Sequence, residues 1–164
     1  MHHWDELLVY DIQELQDAEM RLLEVWPRMA DRATTLCLKE AFGRVGDATE
    51  RQIARLEQMA QWLPAPPDEV ICKGMKGLII EAGNLLAAQG DPEVLDAALV
   101  GAARKFEHYG LAAYYTARQL AQKMQLAPIV DLLEQSLAEI IAAHDNLAAA
   151  AEGRPDSLHG VAGG

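Results

Sequence analysis

The sequence predicts an all-α chain: a bundle of four long helices with a fifth, shorter helix in the middle connection. Three observations predict it. Hydrophobic residues make up 51% of the 164, yet there are only two Phe, three Trp and four Tyr. Much of the apolar content is alanine and leucine, the leading helix formers, and β-branched residues are sparse. Apolar residues also recur near a 3.6-residue spacing over long stretches. Finally, proline and glycine fall at a few points that divide the chain into five segments.

The first helix is expected over Trp4 to Arg28, with Leu8, Ile12, Leu15, Glu19, Leu22 and Trp26 on its inward face. Glu19 is a carboxylate where an apolar residue is expected. Pro27 should kink or end this helix near Val25, because proline has no amide to donate. Thr34 and Thr35 offer a new start. The second helix, Leu36 to Leu63, carries Leu38, Phe42, Val45, Ala48, Gln52, Leu56 and Met59 inward. Glu50, Arg51, Arg55 and Glu57 lie off that face and are expected to pair along the helix.

Pro64, Pro66 and Pro67 end the second helix and make a stiff crossover. The third helix, Val70 to Gln89, is short and broken up by Gly74, Gly77 and Gly83, with Met75, Leu78, Ile79 and Leu85 inward. The fourth runs from Asp91 to Gln122, ~45 Å of helix, and opens on a cap residue, a first-turn proline and Glu93. Its stripe is Leu95, Leu99, Ala102, Phe106, Tyr109, Ala113 and Leu120, with Glu107 and His108 at its middle. The fifth, Pro128 to Ala151, carries Leu133, Leu137, Ile140, His144 and Leu147 inward. Residues 1–152 thus read as a single domain, and 153–164, glycine-rich, as a flexible tail. Short turns make the first and last helix pairs antiparallel, and the long middle crossover makes the arrangement ferritin-like.

Composition excludes some functions. A net charge of −11, with the basic residues scattered among acids, argues against nucleic acid or an anionic membrane as partner. No apolar run reaches the ~18 residues of a membrane span, and the N-terminal stretch is acidic where a secretory signal is basic and then apolar. Cys37 and Cys72 lack metal-site or redox spacing and read as buried thiols of a cytoplasmic protein. His2 and His3 read as a frayed end or tag remnant.

The ferritin-like bundle offers one chemistry to test. Its di-metal centres take a Glu from each of two helices and a Glu-x-x-His from each of the other two, and such ligands suit iron or manganese. Glu19 and Glu107 fit the single-Glu positions. The second helix offers Val45, Ala48 and Gln52 instead of an acid and a histidine. The fifth offers Ile140 and Ala143, with His144 and Glu139 nearby. No Glu-x-x-His occurs in either helix, so the ligand set is incomplete.

The segments DIQELQDAEMRLLEVWPRMA, LKEAFGRV, ATERQIARLEQ, CKGMKGLIIEA, DAALVGAARKFEHYGLAAYYTARQLAQ and VDLLEQSLAEI, in that order, resemble the YciF/YciE-type ferritin-like family. The resemblance spans about Leu7 to Leu147 and implies a helical bundle that dimerises, associated with bacterial stress and mostly of unknown function. The family's DAE falls on Asp17-Ala18-Glu19. Its VEHYE falls on Phe106-Glu107-His108-Tyr109, with Gly110 in place of the last acid. Its second-helix HLEET becomes Val45-Gly46-Asp47-Ala48-Thr49, and its fifth-helix LEEEKATD becomes the stretch from Leu137 to His144. Its AMEGLIEE becomes Gly74 to Glu81, with a lysine for one acid. The resemblance therefore implies a member whose metal centre has decayed.

Glu19 and Glu107 are the candidate metal ligands, with His144 as the third. The competing reading has the two carboxyls buried and held by tyrosine, histidine or arginine, or protonated by desolvation. Tyr10, Tyr109, Tyr114 and Tyr115 are possible partners. His108 reads as a core or interface histidine, and Glu81 and Glu139 as surface or interface acids. The leading functional expectation is a homodimeric structural or interaction module that is not an enzyme and holds no cofactor. Trp4, Trp26 and Trp62, near helix ends, are the independent hint of an apolar interface. The alternative is an iron- or manganese-binding, oxidoreductase-like protein that handles iron, peroxide or oxygen. A third is a small-molecule binder that uses the vacated bundle centre as its pocket.

Overall fold

The structure is a computed structural model that describes residues 3–65 and 69–153. Five helices follow in order: α1 Trp4–Arg32, α2 Leu36–Trp62, α3 Lys73–Ala87, α4 Pro92–Lys123 and α5 Ala127–Ala151. Pro66, Pro67 and His2 lie outside the described residues, as does residue 154 onward of the expected tail. Among the described residues no helix is long and apolar enough to cross a membrane.

The four long helices form a closed ring. Helix α1 packs on α2, α2 on α5, α5 on α4 and α4 back on α1. Connections of three residues, 33–35 and 124–126, force α1–α2 and α4–α5 into antiparallel pairs. Helix α3 lies outside the ring, over the seam between α1 and α4. This settles its place: it packs on the side of the bundle.

The inward stripes of α1 and α2 are buried as their spacing predicts. Two details depart from the sequence reading. Helix α1 does not end near Val25; it runs through Pro27 to Arg32. Proline loses its own hydrogen bond and crowds the carbonyl four residues back, but Pro27 stands on the exposed side, while Trp26 and Met29 continue the buried stripe for another turn. Helix α3 is shorter at both ends than expected, because its amides start from Cys72 and its chain leaves at Ala88.

The helix ends show how the ring is closed. Thr35 does not cap α2 with its own side chain. Asp96 of α4 instead ties down the turn just before α2, accepting from the Thr34 amide at 2.8 Å, the Thr34 hydroxyl at 2.7 Å and the Thr35 amide at 3.3 Å. Asp91 caps α4 as expected, accepting from the Glu93 amide at 2.9 Å. Helix α4 ends with Gln125 left-handed at φ 59°. The Leu126 amide donates to Ala121 and the Gln125 amide to Gln122, both at 3.0 Å, which is a Schellman turn.

Further corrections concern single residues. Trp26 is 2% exposed and belongs to the core; Trp4 and Trp62, at 53% and 49%, are the tryptophans at the surface. Cys37 is half-buried and only Cys72 is fully enclosed; neither forms a disulfide. His108 is exposed, one residue off the buried face that Glu107 occupies. Arg51 and Arg55 bond across to Glu139 of α5.

Candidate functional site: a polar layer inside the bundle

The core is divided into two apolar clusters. One gathers Leu22, Trp26, Phe42 and Phe106; the other gathers Leu8, Ile12, Leu56, Leu133 and Leu137. Buried polar side chains occupy the middle of the ring: Glu19 on α1, Thr49 and Gln52 on α2, Glu107 on α4 and Ser136 on α5. The helical period puts them there. Each sits on its helix's inward stripe at about mid-length, where an apolar residue is expected.

Glu19 and Glu107 line the same cavity, about 30 Å³ in volume. The rest of its wall includes Val45, Ala48, Gly110, Ile140 and Ala143, the positions where the sequence lacks ligands. The positions at which the resemblance implies lost acids and a lost histidine on α2 and α5 therefore do include residues of the cavity wall. A cavity of this size admits a water molecule. It is an order of magnitude below the ~300 Å³ at which small-molecule pockets begin, so it does not serve as a pocket for an organic ligand.

Burial pushes the Glu19 carboxyl up to about 8, and the negative charge of Glu139 adds to the effect while Tyr114 opposes it. The Tyr114 hydroxyl faces Glu19 closely enough to act on it, yet makes no hydrogen bond of ordinary geometry. Burial likewise lifts Glu107 to about 7, against the stabilising contact of His144. His144 Nδ1 lies 3.0 Å from Glu107 Oε2, while Glu107 Oε1 is buried with no partner. His144 is 32% exposed in its side chain, so it joins this carboxyl to the surface. The His108 ring stacks edge-on against it, 5.2 Å between centroids.

All three sequence-predicted ligands are thus in one region, but only two face the cavity. His144 reaches Glu107 and is not part of the cavity wall. Thr49 is already committed, its hydroxyl accepting from Trp26 Nε1 at 3.1 Å. Among the described residues no three His, Cys, Asp or Glu side chains cluster as metal ligands would. The two-metal centre of ferritin-like bundles does not fit this donor set: only two carboxyls face a wall that is otherwise mostly apolar.

Three further residues were named by the sequence but given their contacts only by the structure. Tyr114, fully buried, stands between Glu19 and Ser136, and its spacing from Phe106 was the available signal. Glu139 is held by two arginines of α2, a contact between residues more than 80 apart that no local pattern reveals. Asp17, next to Glu19 but one in the motif, turns outward. It accepts two bonds from Arg21 at 2.7 and 2.9 Å and one from the Cys72 amide at 2.8 Å, which fixes the start of α3. The Cys72 thiol in turn contacts the Tyr109 hydroxyl at 3.2 Å. The matched DAE therefore has two jobs, Asp17 anchoring α3 and Glu19 entering the core.

Known proteins agree with this frame. The model of a domain of unknown function, DUF892, matches residues 3–157. Protein YciF of Escherichia coli strain K12 is 29% identical over 136 residues, 82% of this chain and 82% of that protein. The crystal structure of the E. coli stress protein YciF superposes with a TM-score of 0.88 at 28% identity, covering 93% of this chain and 97% of that one. YcfI of Rhodopseudomonas palustris, provisionally described as a structural protein, gives 0.85 at 32% identity, with 90% and 94% covered. The family match over nearly the whole chain and the shared five-helix bundle lead to one conclusion: the chain belongs to the DUF892 family, a domain of unknown function.

Proposed function

We propose that this protein is a structural or interaction module, a homodimeric ferritin-like bundle of the stress-associated kind whose metal centre has lost its ligands. One observation carries the reading: around the central cavity α2 and α5 supply Val45, Ala48, Ile140 and Ala143, none of which can bind a metal. The description of YcfI as a structural protein and of YciF as a stress protein supports the same direction. Free cysteines fit a cytoplasmic setting. Elemental analysis of untagged protein grown with added iron and manganese tests the proposal. Trace metal is expected; stoichiometric metal overturns it.

The dimer is supported by the apolar side chains left at the surface, Leu36, Ile80 and Val94 at 70%, 64% and 66% exposure, with Trp4 and Trp62. Sedimentation equilibrium should return twice the 18.0 kDa chain mass. A monomer at micromolar concentration would remove that part of the proposal.

A second reading is favoured by the unpartnered Glu107 Oε1 beside a shared cavity. Here Glu19, Glu107 and His144 hold a single iron or manganese ion, and the protein is oxidoreductase-like. Replacing both glutamates by glutamine should then abolish metal uptake, and unchanged uptake rejects it.

A further inference from the structure

The central cavity is lined by four polar side chains, Glu19, Thr49, Gln52 and Glu107, each at most 5% exposed. Two of them have spent part of their bonding capacity. Thr49 Oγ1 accepts from Trp26 Nε1 at 3.1 Å, and the Gln52 amide nitrogen donates to Glu139 Oε2 at 3.4 Å. Each keeps a second capacity: the Thr49 hydroxyl hydrogen can donate, and the Gln52 carbonyl can accept. Glu107 shows the gap most plainly. Its Oε2 meets His144 Nδ1 at 3.0 Å, while its Oε1 is buried and finds no hydrogen-bond partner among the described residues. A buried carboxyl oxygen left unpaired costs free energy, so this atom calls for a partner that the side chains around it do not supply.

Gly110 supplies the room. It lies three residues beyond Glu107 on α4, on the same face, and lines the same cavity. The backbone does not ask for glycine there: the position is inside the helix and its φ is not positive. No neighbour crowds it either, since a Cβ at Gly110 would meet Ile140 Cδ1 at 3.9 Å, an ordinary contact. Glycine is a weaker helix former than alanine at such a place. What its missing side chain does is leave the wall open beside Ile140. The resulting space of about 30 Å³ admits water. Apolar cavities stay dry, whereas a water needs two to four polar partners, and this wall offers four.

We propose that the cavity is a site for one ordered water, which gives Glu107 Oε1 its missing hydrogen bond and bridges α4 to Glu19 of α1. Water has the two donors and two acceptors that this set of groups asks for. Glu107 Oε1 and the Gln52 carbonyl accept from it, while the Thr49 hydroxyl and the Glu19 carboxyl donate to it. Burial keeps the Glu19 carboxyl protonated at neutral pH, and so able to donate. The polar layer then forms a chain from Glu19 through the water to Glu107 and on to His144, whose side chain is open to solvent. The inference rests on the metal-free reading, since a bound metal would take the same space.

Relaxation dispersion of ¹⁷O-enriched water, which counts waters held for longer than the protein takes to tumble, tests this on the full chain. Wild type is compared with Gly110→Ala, whose added methyl group stands in the cavity wall beside Ile140. Wild type should hold about one long-lived water per chain more than the variant. Equal dispersion in the two, with the variant folded by circular dichroism, overturns the site. If Gly110→Ala does not fold, Glu19→Leu/Glu107→Leu takes its place: it removes both carboxyls and should show the same loss, and an undiminished dispersion overturns the site equally. Metal analysis of the same wild-type sample separates the two levels. Stoichiometric iron or manganese overturns the metal-free reading beneath the inference, whereas a metal-free chain whose variants lose no water overturns the water site alone.

Discussion

Glu19 is the residue on which the chemistry of this bundle turns. It is 4% exposed and its carboxyl is raised from 4.5 to about 8, chiefly by burial. Glu107 is raised in the same sense to about 7, and the half-buried Asp11 to about 6. The sign follows from proton counting. Above pH 4.5 the unfolded chain has released these protons while the folded chain keeps them, so the folded state binds more, and stability falls as pH rises. The decline should run from about pH 4.5 to pH 8 and level off above, on the order of 1 kcal/mol per pH unit for each retained proton. Asp17 and Glu139, both held low by arginines, contribute in the opposite sense and only below that window. Urea denaturation at pH 5, 7 and 9 checks this. Glu19→Gln should flatten the slope; a wild-type profile flat across the window would contradict the burial argument.

At the scale of elements, α3 is the least regular and the most dependent on contacts. Its N-terminus hangs on Asp17 through the Cys72 amide, and its first turn lies against Tyr109. A Cβ at Gly74 would stand 2.5 Å from the Tyr109 ring, which is itself held by Cys72. Gly77 has nothing within 4 Å. Both glycines are helical, and alanine is the better helix former by about 0.5–1 kcal/mol. Gly77→Ala should therefore stabilise by that amount, while Gly74→Ala should destabilise by about 1–3 kcal/mol through overpacking. Melting curves of the two variants check the pair; a stabilising Gly74→Ala would show that α3 does not sit this close to α4. Sequence reading found α3 from its punctuation but placed both ends too far out, because its true start is set by Asp17, a residue of another helix. The same holds at Pro27: local propensity argued for a stop, and the packing of Trp26 against Phe42 and Phe106 carried the helix onward.

At the scale of the whole molecule, a polar layer splits what would otherwise be one continuous core. Buried polar groups that bind nothing weaken a fold, and apolar replacements of similar volume often strengthen it by about 1–4 kcal/mol. If the layer holds no metal, Glu19→Leu/Glu107→Leu should join the two clusters and raise the denaturation midpoint. A lowered midpoint would mean that the layer contributes a ligand or a specific contact that leucine cannot replace. The outer surface needs a different remedy, since its exposed tryptophans lie away from this layer, and the dimer proposed above is the natural cover.

The sequence by itself determined the five helices, the inward stripes, the antiparallel pairs and the two carboxyls of the cavity. These follow from local period, propensity and chain connectivity, which a single strand of text contains. Only the tertiary structure decided that His144 bonds Glu107 outside the cavity wall, that His108 stays at the surface, and that Glu139 is claimed by two arginines of α2. Each of those outcomes depends on which side chain of a distant helix arrives first, and on how burial weighs charge against hydrogen bonds, neither of which is written in the spacing of residues along the chain.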